Sequence, residues 1–355
     1  MLLDVNNINI AYGDTTIISD VSFSLSDGEI GCLLGPSGCG KTTILRAIAG
    51  FEKLSQGRIN IQHGVVSSKQ LHVPPEKRRI GMVFQDFALF PHLNVADNVA
   101  FGITKMKKPA RDKRVNELLQ LVGLSGYSQQ YPHQLSGGQQ QRIAIARAMA
   151  PRPSLLLMDE PFSSLDVELR EQLVPEIRDI LKAEKITAIL VTHDQFEAFA
   201  MADKIGVINQ GKLEQLDTAY NLYHRPASRF VADFIGQGVM LHGTVLNTQQ
   251  VETELGIIDG PVPEGCTKGC PVDVLVRPDD IVHDDDSPVT AEVIDKRFRG
   301  ADFLYSLRLS SGGQVLCLTP SHHDHHIGER IGIHHEIDHL VVFPQHPAFN
   351  KPQTF

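Results

Sequence analysis

The 355-residue chain has no tryptophan, only five cysteines, no apolar run approaching a membrane span and no excess of basic residues. The scattered cysteines do not make a disulfide framework and fit a reducing compartment. A spanning helix needs about 20 consecutive apolar residues, so none is expected. The net charge of −9 is opposite in sign to the basic surface that phosphate backbones attract, which argues against nucleic acid as a partner. Met1-Leu2-Leu3-Asp4-Val5 shows no charged segment leading into an apolar one, so no signal peptide is expected.

What is present is an ordinary soluble composition, 42% hydrophobic and 21% charged, at a length that suits two domains. Short strands are expected at 9–12, 21–25 and 30–34, then a helix running to Gly50. A strand over Arg79–Gln85 follows, then amphipathic helices over 111–122 and 137–150. The run at 154–158 is continuously apolar, as a strand buried on both faces is, and a further strand is expected over 187–192. With helices over 167–182 and 195–202 and a strand over 204–209, the alternation predicts an α/β core on a mainly parallel sheet, interrupted by a helical insertion at about 87–150. After Gly236 the texture changes to short alternating strands with Gly, Pro and Asp turns, which predicts an all-β, barrel-like domain over 237–355.

Three runs carry chemistry. Gly35-Pro36-Ser37-Gly38-Cys39-Gly40-Lys41-Thr42 matches G-x-x-x-x-G-K-[ST] in full, between a strand and a helix. Its glycines let backbone N–H groups wrap phosphates, Lys41 reaches the β and γ phosphates, Thr42 offers a hydroxyl to Mg²⁺, and Thr43 adds a bond to the α phosphate. Cys39, at a helix N-terminus, is a candidate for alkylation that blocks ATP. Leu155-Leu156-Leu157-Met158 is a strand that delivers Asp159 and Glu160 to its C-terminal end, where ligands bind in open α/β sheets. Asp159 suits Mg²⁺, and Glu160 suits the orientation or deprotonation of an attacking water. Alone, that acidic pair reads equally well as a helix cap. Leu135-Ser136-Gly137-Gly138-Gln139 combines glycine backbone, a hydroxyl and a helix N-terminus, the parts of an anion cap, although on composition it is also an ordinary turn.

Together these runs resemble the ATP-binding subunits of ABC transporters, with the 135–139 run as the signature between the two nucleotide motifs. The resemblance covers residues 1 to about 236. It implies a phosphate-loop NTPase core with an antiparallel β subdomain. It makes Tyr12 the aromatic that stacks on adenine, Gln85 the residue that senses Mg²⁺ and the membrane partner, Ser163–Asp166 the D-loop, and His193 a contact to the γ phosphate. It implies ATP and Mg²⁺ as ligands and a homodimer in which Ser136, Gly137, Gly138 and Gln139 of one copy close over the ATP held by the other. Further implied partners are integral membrane permease subunits, docked through the apolar stretch Phe87–Leu93, and indirectly a periplasmic solute-binding protein. The place implied is the cytoplasmic face of the inner membrane. The alternative from another class is a soluble regulatory ABC protein unconnected with transport.

The region 237–355 resembles the TOBE-type regulatory domain of import ATPases, with Arg277-Pro278-Asp279-Asp280 in place of the family's R-P-E/D turn. That points to import, and the whole chain, including the run Leu156–Asp166, looks most like ferric-ion importers; polyamine, sugar, sulfate or another anion is the alternative cargo. Ten of the sixteen histidines lie after residue 236. His322, His323, His325, His326, His334, His335 and His339, with Cys266 and Cys270, read either as a solvated loop or as a metal site.

Overall fold

A computed structural model describes residues 1–345. The chain divides into two compact units, 1–219 and 220–355. The first holds ten strands: β1 (Leu3–Tyr12), β2 (Thr15–Leu25), β3 (Ile30–Leu34), β4 (Gln56–Ile61), β5 (Gly64–Ser68), β6 (Ile80–Val83), β7 (Leu155–Asp159), β8 (Thr187–Thr192), β9 (Lys204–Asn209) and β10 (Lys212–Asp217). Its helices are α1 (Lys41–Ala49), α2 (Val95–Ala100), α3 (Lys108–Leu121), α4 (Gly137–Met149), α5 (Val167–Ala183) and α6 (Gln195–Met201).

One sheet has the order β10-β9-β3-β8-β7-β6. Its five strands from β9 to β6 are parallel, and β10 closes one edge antiparallel to β9. Strands β3 and β8 are buried at every position, as central strands of a parallel sheet are. The second sheet, β2-β1-β4-β5, is antiparallel. Ile8, Ile10 and Ile18 from it, Leu45 and Ile48 from α1, and Leu157 and Ile189 from the first sheet share one buried core. This core clamps α1, so the loop that opens it is held on a rigid frame. Three helices, α2 to α4, lie between β6 and β7, as the insertion reading expects.

Two local readings change. The strand expected over Arg79–Gln85 ends at Val83, so Gln85 stands on the following turn. Arg79 has φ 52°, outside the extended region, which delays the start of the strand. Helix α3 starts earlier than the apolar stripe predicts, because Pro109 near its N-terminus is preset for a first helical turn.

The second unit opens with two short helices, α7 (Ala219–His224) and α8 (Arg229–Ile235). The sequence reading had placed the boundary after 236. Arg277 explains why both helices pack with the β domain. Its buried guanidinium donates to the carbonyls of Ala232 (3.0 Å), Gly236 (2.9 Å), Gln237 (3.2 Å) and Tyr223 (3.1 and 3.3 Å). It also lies 4.4 Å from the centroid of the Tyr223 ring, whose hydroxyl donates to Asp279 at 2.6 Å. Replacing Arg277 by alanine leaves the buried Ala232 carbonyl and its part-buried neighbours without this donor, and each unpaired buried group costs about 1–3 kcal/mol. Arg277→Ala is therefore expected to destabilise the second unit by about 3 kcal/mol in denaturant unfolding of the full chain, and Arg277→Lys, lacking the planar fork, recovers only part. An unchanged transition would remove Arg277 as the tie.

The rest of this unit, among the described residues, holds ten strands: β11 (Val239–Asn247), β12 (Gln250–Thr253), β13 (Gly256–Asp259), β14 (Pro271–Val276), β15 (Ile281–His283), β16 (Thr290–Phe298), β17 (Asp302–Arg308), β18 (Gln314–Pro320), β19 (Arg330–His335) and β20 (Val341–Pro344). They form two five-stranded antiparallel sheets, β13-β12-β11-β14-β20 and β15-β19-β16-β17-β18, around one core that includes Val274, Val293, Tyr305 and Ile333. The all-β expectation holds.

Candidate functional site

The C-terminal ends of β3, β7 and β8 lie side by side, and each carries candidate residues. After β3 comes the 35–42 loop. Gly35 is there because of close approach: a Cβ on it would sit 2.2 Å from the Ile208 carbonyl of β9. Gly40, which precedes α1, has φ 104°, a conformation that favours glycine. The loop wraps Lys41, whose buried ammonium donates to the carbonyls of Gly35 (2.7 Å) and Pro36 (2.9 Å). Cys39 is buried in the core with its sulfur 3.7 Å from that ammonium, so packing rather than reactivity accounts for it.

From α1, the Thr42 hydroxyl donates to Asp159 Oδ1 at 3.0 Å. Residues 117 apart in sequence thus present two hard oxygen ligands together. Burial holds the Asp159 carboxyl above its ordinary value; the Thr42 bond opposes this, and the Glu160 charge adds to it. A carboxylate whose charge is disfavoured in this way gains from a neighbouring divalent cation, and the oxygen donor set is the kind Mg²⁺ takes.

Glu160 has φ 44°, which is uncommon for a side chain of this kind. The turn is fixed on both sides: its N–H donates to the Val191 carbonyl at 2.9 Å, and its carbonyl accepts from the Ser163 hydroxyl at 2.9 Å. The turn sets the Glu160 carboxylate 3.3 Å from Nδ1 of His193, which follows β8 and is half-exposed. Tyr12, at the end of β1, is exposed. Partial burial, then the neighbouring Glu52, raises its phenol above the ordinary value, while Arg46 and Thr43 act the other way, so the ring lies beside the start of α1.

The 135–139 run shows a device that the sequence reading overlooked. Ser136 is the N-cap of α4: its hydroxyl accepts from Gln139 N at 3.3 Å, and the Gln139 side chain accepts from Ser136 N at 3.0 Å. This is a reciprocal capping box, and its S-x-x-Q spacing was visible in the sequence. Gly137 and Gly138 lie under Leu165 and Leu169, where an added Cβ would meet Leu δ-methyls at 3.1 and 2.9 Å. Within one chain the signature therefore packs on the D-loop and α5, and its bonds do not join the Lys41–Asp159–Glu160–His193 group. Gln85 is exposed on the turn that follows β6, the strand paired with β7. The stretch after it is clamped by Arg147 of α4, which donates to the carbonyls of Phe87 (2.9 Å) and Ala88 (2.6 Å), and by Asn98, whose side chain accepts from Phe90 N at 2.9 Å. Sequence periodicity gives no sign of either clamp.

Residues 18–163 match the ABC transporter family and residues 274–343 match the TOBE domain. The spermidine/putrescine import ATP-binding protein PotA of Bacteroides thetaiotaomicron is 39% identical over 341 residues, covering 94% of this chain and 71% of that protein. The chain belongs to the ABC importer ATPases. A second relative, the Fe(3+) ions import ATP-binding protein FbpC 2 of Haemophilus influenzae, is 43% identical over 280 residues, 78% of each chain. Among solved structures, the dimeric structure of MJ0796, a bacterial ABC transporter cassette, aligns with a TM-score of 0.54 at 30% identity, over 61% of this chain and 98% of that one. Membership in this ATPase family implies ATP, with Mg²⁺, and a membrane permease as partner. No helix among the described residues is long and apolar enough to cross a membrane.

Proposed function

We propose that this ABC importer ATPase hydrolyses ATP at a site divided between two copies of the chain, peripheral on the cytoplasmic face of the membrane, and that it drives ferric-ion uptake. The observation that carries the catalytic reading is the convergence of Thr42 with Asp159 and of Glu160 with His193 at the ends of adjacent strands, beside Lys41. The backbone N–H groups of 35–42 and the Lys41 ammonium hold the phosphates, Thr43 assists at the α phosphate, and Tyr12 stacks on the base. Thr42 and Asp159 would hold Mg²⁺, and Gln85, on the turn after the neighbouring strand, would be a further ligand. When bound, Mg²⁺ neutralises charge on the β and γ phosphate oxygens. Glu160 orients the attacking water and accepts its proton, and His193 holds the γ phosphate and the Glu160 carboxylate in register. Ser136 to Gln139 of a second copy close the site, and Phe87–Leu93 meets the permease.

The ferric reading rests on the resemblance of 156–166 and on the iron-importing relative. The polyamine-importing relative, which covers more of the chain, supports spermidine as the second reading. Uptake of labelled iron and of labelled spermidine, measured in cells whose only copy carries Lys41→Ala, separates them. Iron uptake is expected to collapse with spermidine uptake unchanged; the reverse pattern would replace iron by polyamine.

A further inference from the structure

The second unit gathers three histidines that sequence distance keeps apart. His283 ends β15, and His323 and His325 lie on the loop between β18 and β19. A ring nitrogen from each falls within 4.8 Å of the others. The loop is pinned from beneath: the fully buried Tyr305 donates its hydroxyl proton to the His323 carbonyl at 2.8 Å and accepts from His325 N at 3.0 Å. Lys296 is taken up by Asp324 (2.6 Å) and the His325 carbonyl (3.1 Å). Alternate residues of this extended stretch therefore turn the same way, toward His283.

Two features point to a ligand. His325 Nδ1 is bonded to Glu329 Oε1 at 3.0 Å, and its Nε2 is buried with no hydrogen-bond partner. The His283 side chain is 8% exposed, and its Nε2, also without a hydrogen-bond partner, stands 3.1 Å from Asp285 Oδ1. His325, with Nδ1 fixed by a carboxylate and Nε2 unsatisfied, has the arrangement that metal-ligating histidines adopt. The neighbouring histidines have other ties: His334 to Asp284 and Glu336, and His339 to Tyr220.

We propose that His283, His323 and His325 bind one borderline first-row divalent cation, with Zn²⁺ as the reference ion, Glu329 as the outer partner and a fourth position open to water. Imidazoles suit such ions, and three protein ligands leave tetrahedral Zn²⁺ one exchangeable place. Zn²⁺–nitrogen bonds of about 2.0–2.1 Å require the ring nitrogens to draw in by roughly 1 Å at most, within rotamer adjustment of the loop. The site is separate from the nucleotide residues, so its failure leaves the ATPase reading intact.

The test is calorimetric titration of the chelator-treated, nucleotide-free full chain with Zn²⁺, with Co²⁺ absorption as the second readout. One saturable ion per chain is expected. His323→Ala, which truncates a loop residue and spares the core, and His325→Ala should weaken it about 100-fold, and Glu329→Gln about 10-fold. Cys266→Ser with Cys270→Ser should leave it unchanged, and bound Co²⁺ should show no thiolate charge-transfer band. Absence of saturable binding, full binding by His323→Ala and His325→Ala, or loss in the cysteine variant would overturn the proposal.

Discussion

Glu160→Gln is expected to lower steady-state ATP hydrolysis about 10³-fold while ATP still binds, because loss of a positioned general base typically costs 10²–10⁴-fold. The structure makes this substitution a clean one. Glu160 sits in a left-handed turn fixed by backbone bonds to Val191 and Ser163, and none of these uses its carboxylate. Glutamine keeps the shape and the turn and removes only the proton acceptor facing His193. In the proposed site nucleotide affinity comes from Lys41 and the 35–42 loop, so the variant should accumulate as an ATP-bound dimer. Hydrolysis at the normal rate would remove Glu160 from the chemistry.

The second large effect concerns Gly138. Gly138→Asp is expected to abolish hydrolysis, by at least about 100-fold, as loss of a donor to a transition-state oxyanion does. The carboxylate would stand where a phosphate is to be received. The helix itself should survive, since an acidic residue in a first turn is favourable and the Leu169 methyls beside Gly138 are flexible ends that can yield. The Ser136–Gln139 capping box that starts α4 is also untouched. ATP binding by an isolated chain should persist, because Lys41 and its loop are remote from the change in the bonds they make.

Much of the nucleotide unit was legible. Strand β7 is buried along all but its last residue, so its apolar run announces a parallel sheet, and the 35–42 loop fits its place between β3 and α1. What local pattern does not encode is proximity. Nothing near His283 indicates that it meets His323 and His325, because the meeting depends on β15 pairing with β19 and on Tyr305 holding the loop. Which side of the boundary takes α7 and α8 is settled by contacts of the same kind. Helices α7 and α8 look like the tail of the α/β unit until Arg277 is seen to bind their carbonyls. The left-handed turn at Glu160 is likewise set by Val191 across the sheet, not by the residue type.

The central claim is that each ATP is held by one chain and closed by another, and mixing two inactive variants tests it most directly. Lys41→Ala keeps an intact signature, and Gly138→Asp keeps an intact phosphate loop. If the signature acts across the dimer, a mixed pair contains one complete site, and combining the two proteins restores hydrolysis well above the sum of the separate preparations. If every chain completes its own site, mixed dimers form with no gain in activity, and that result would contradict the divided site.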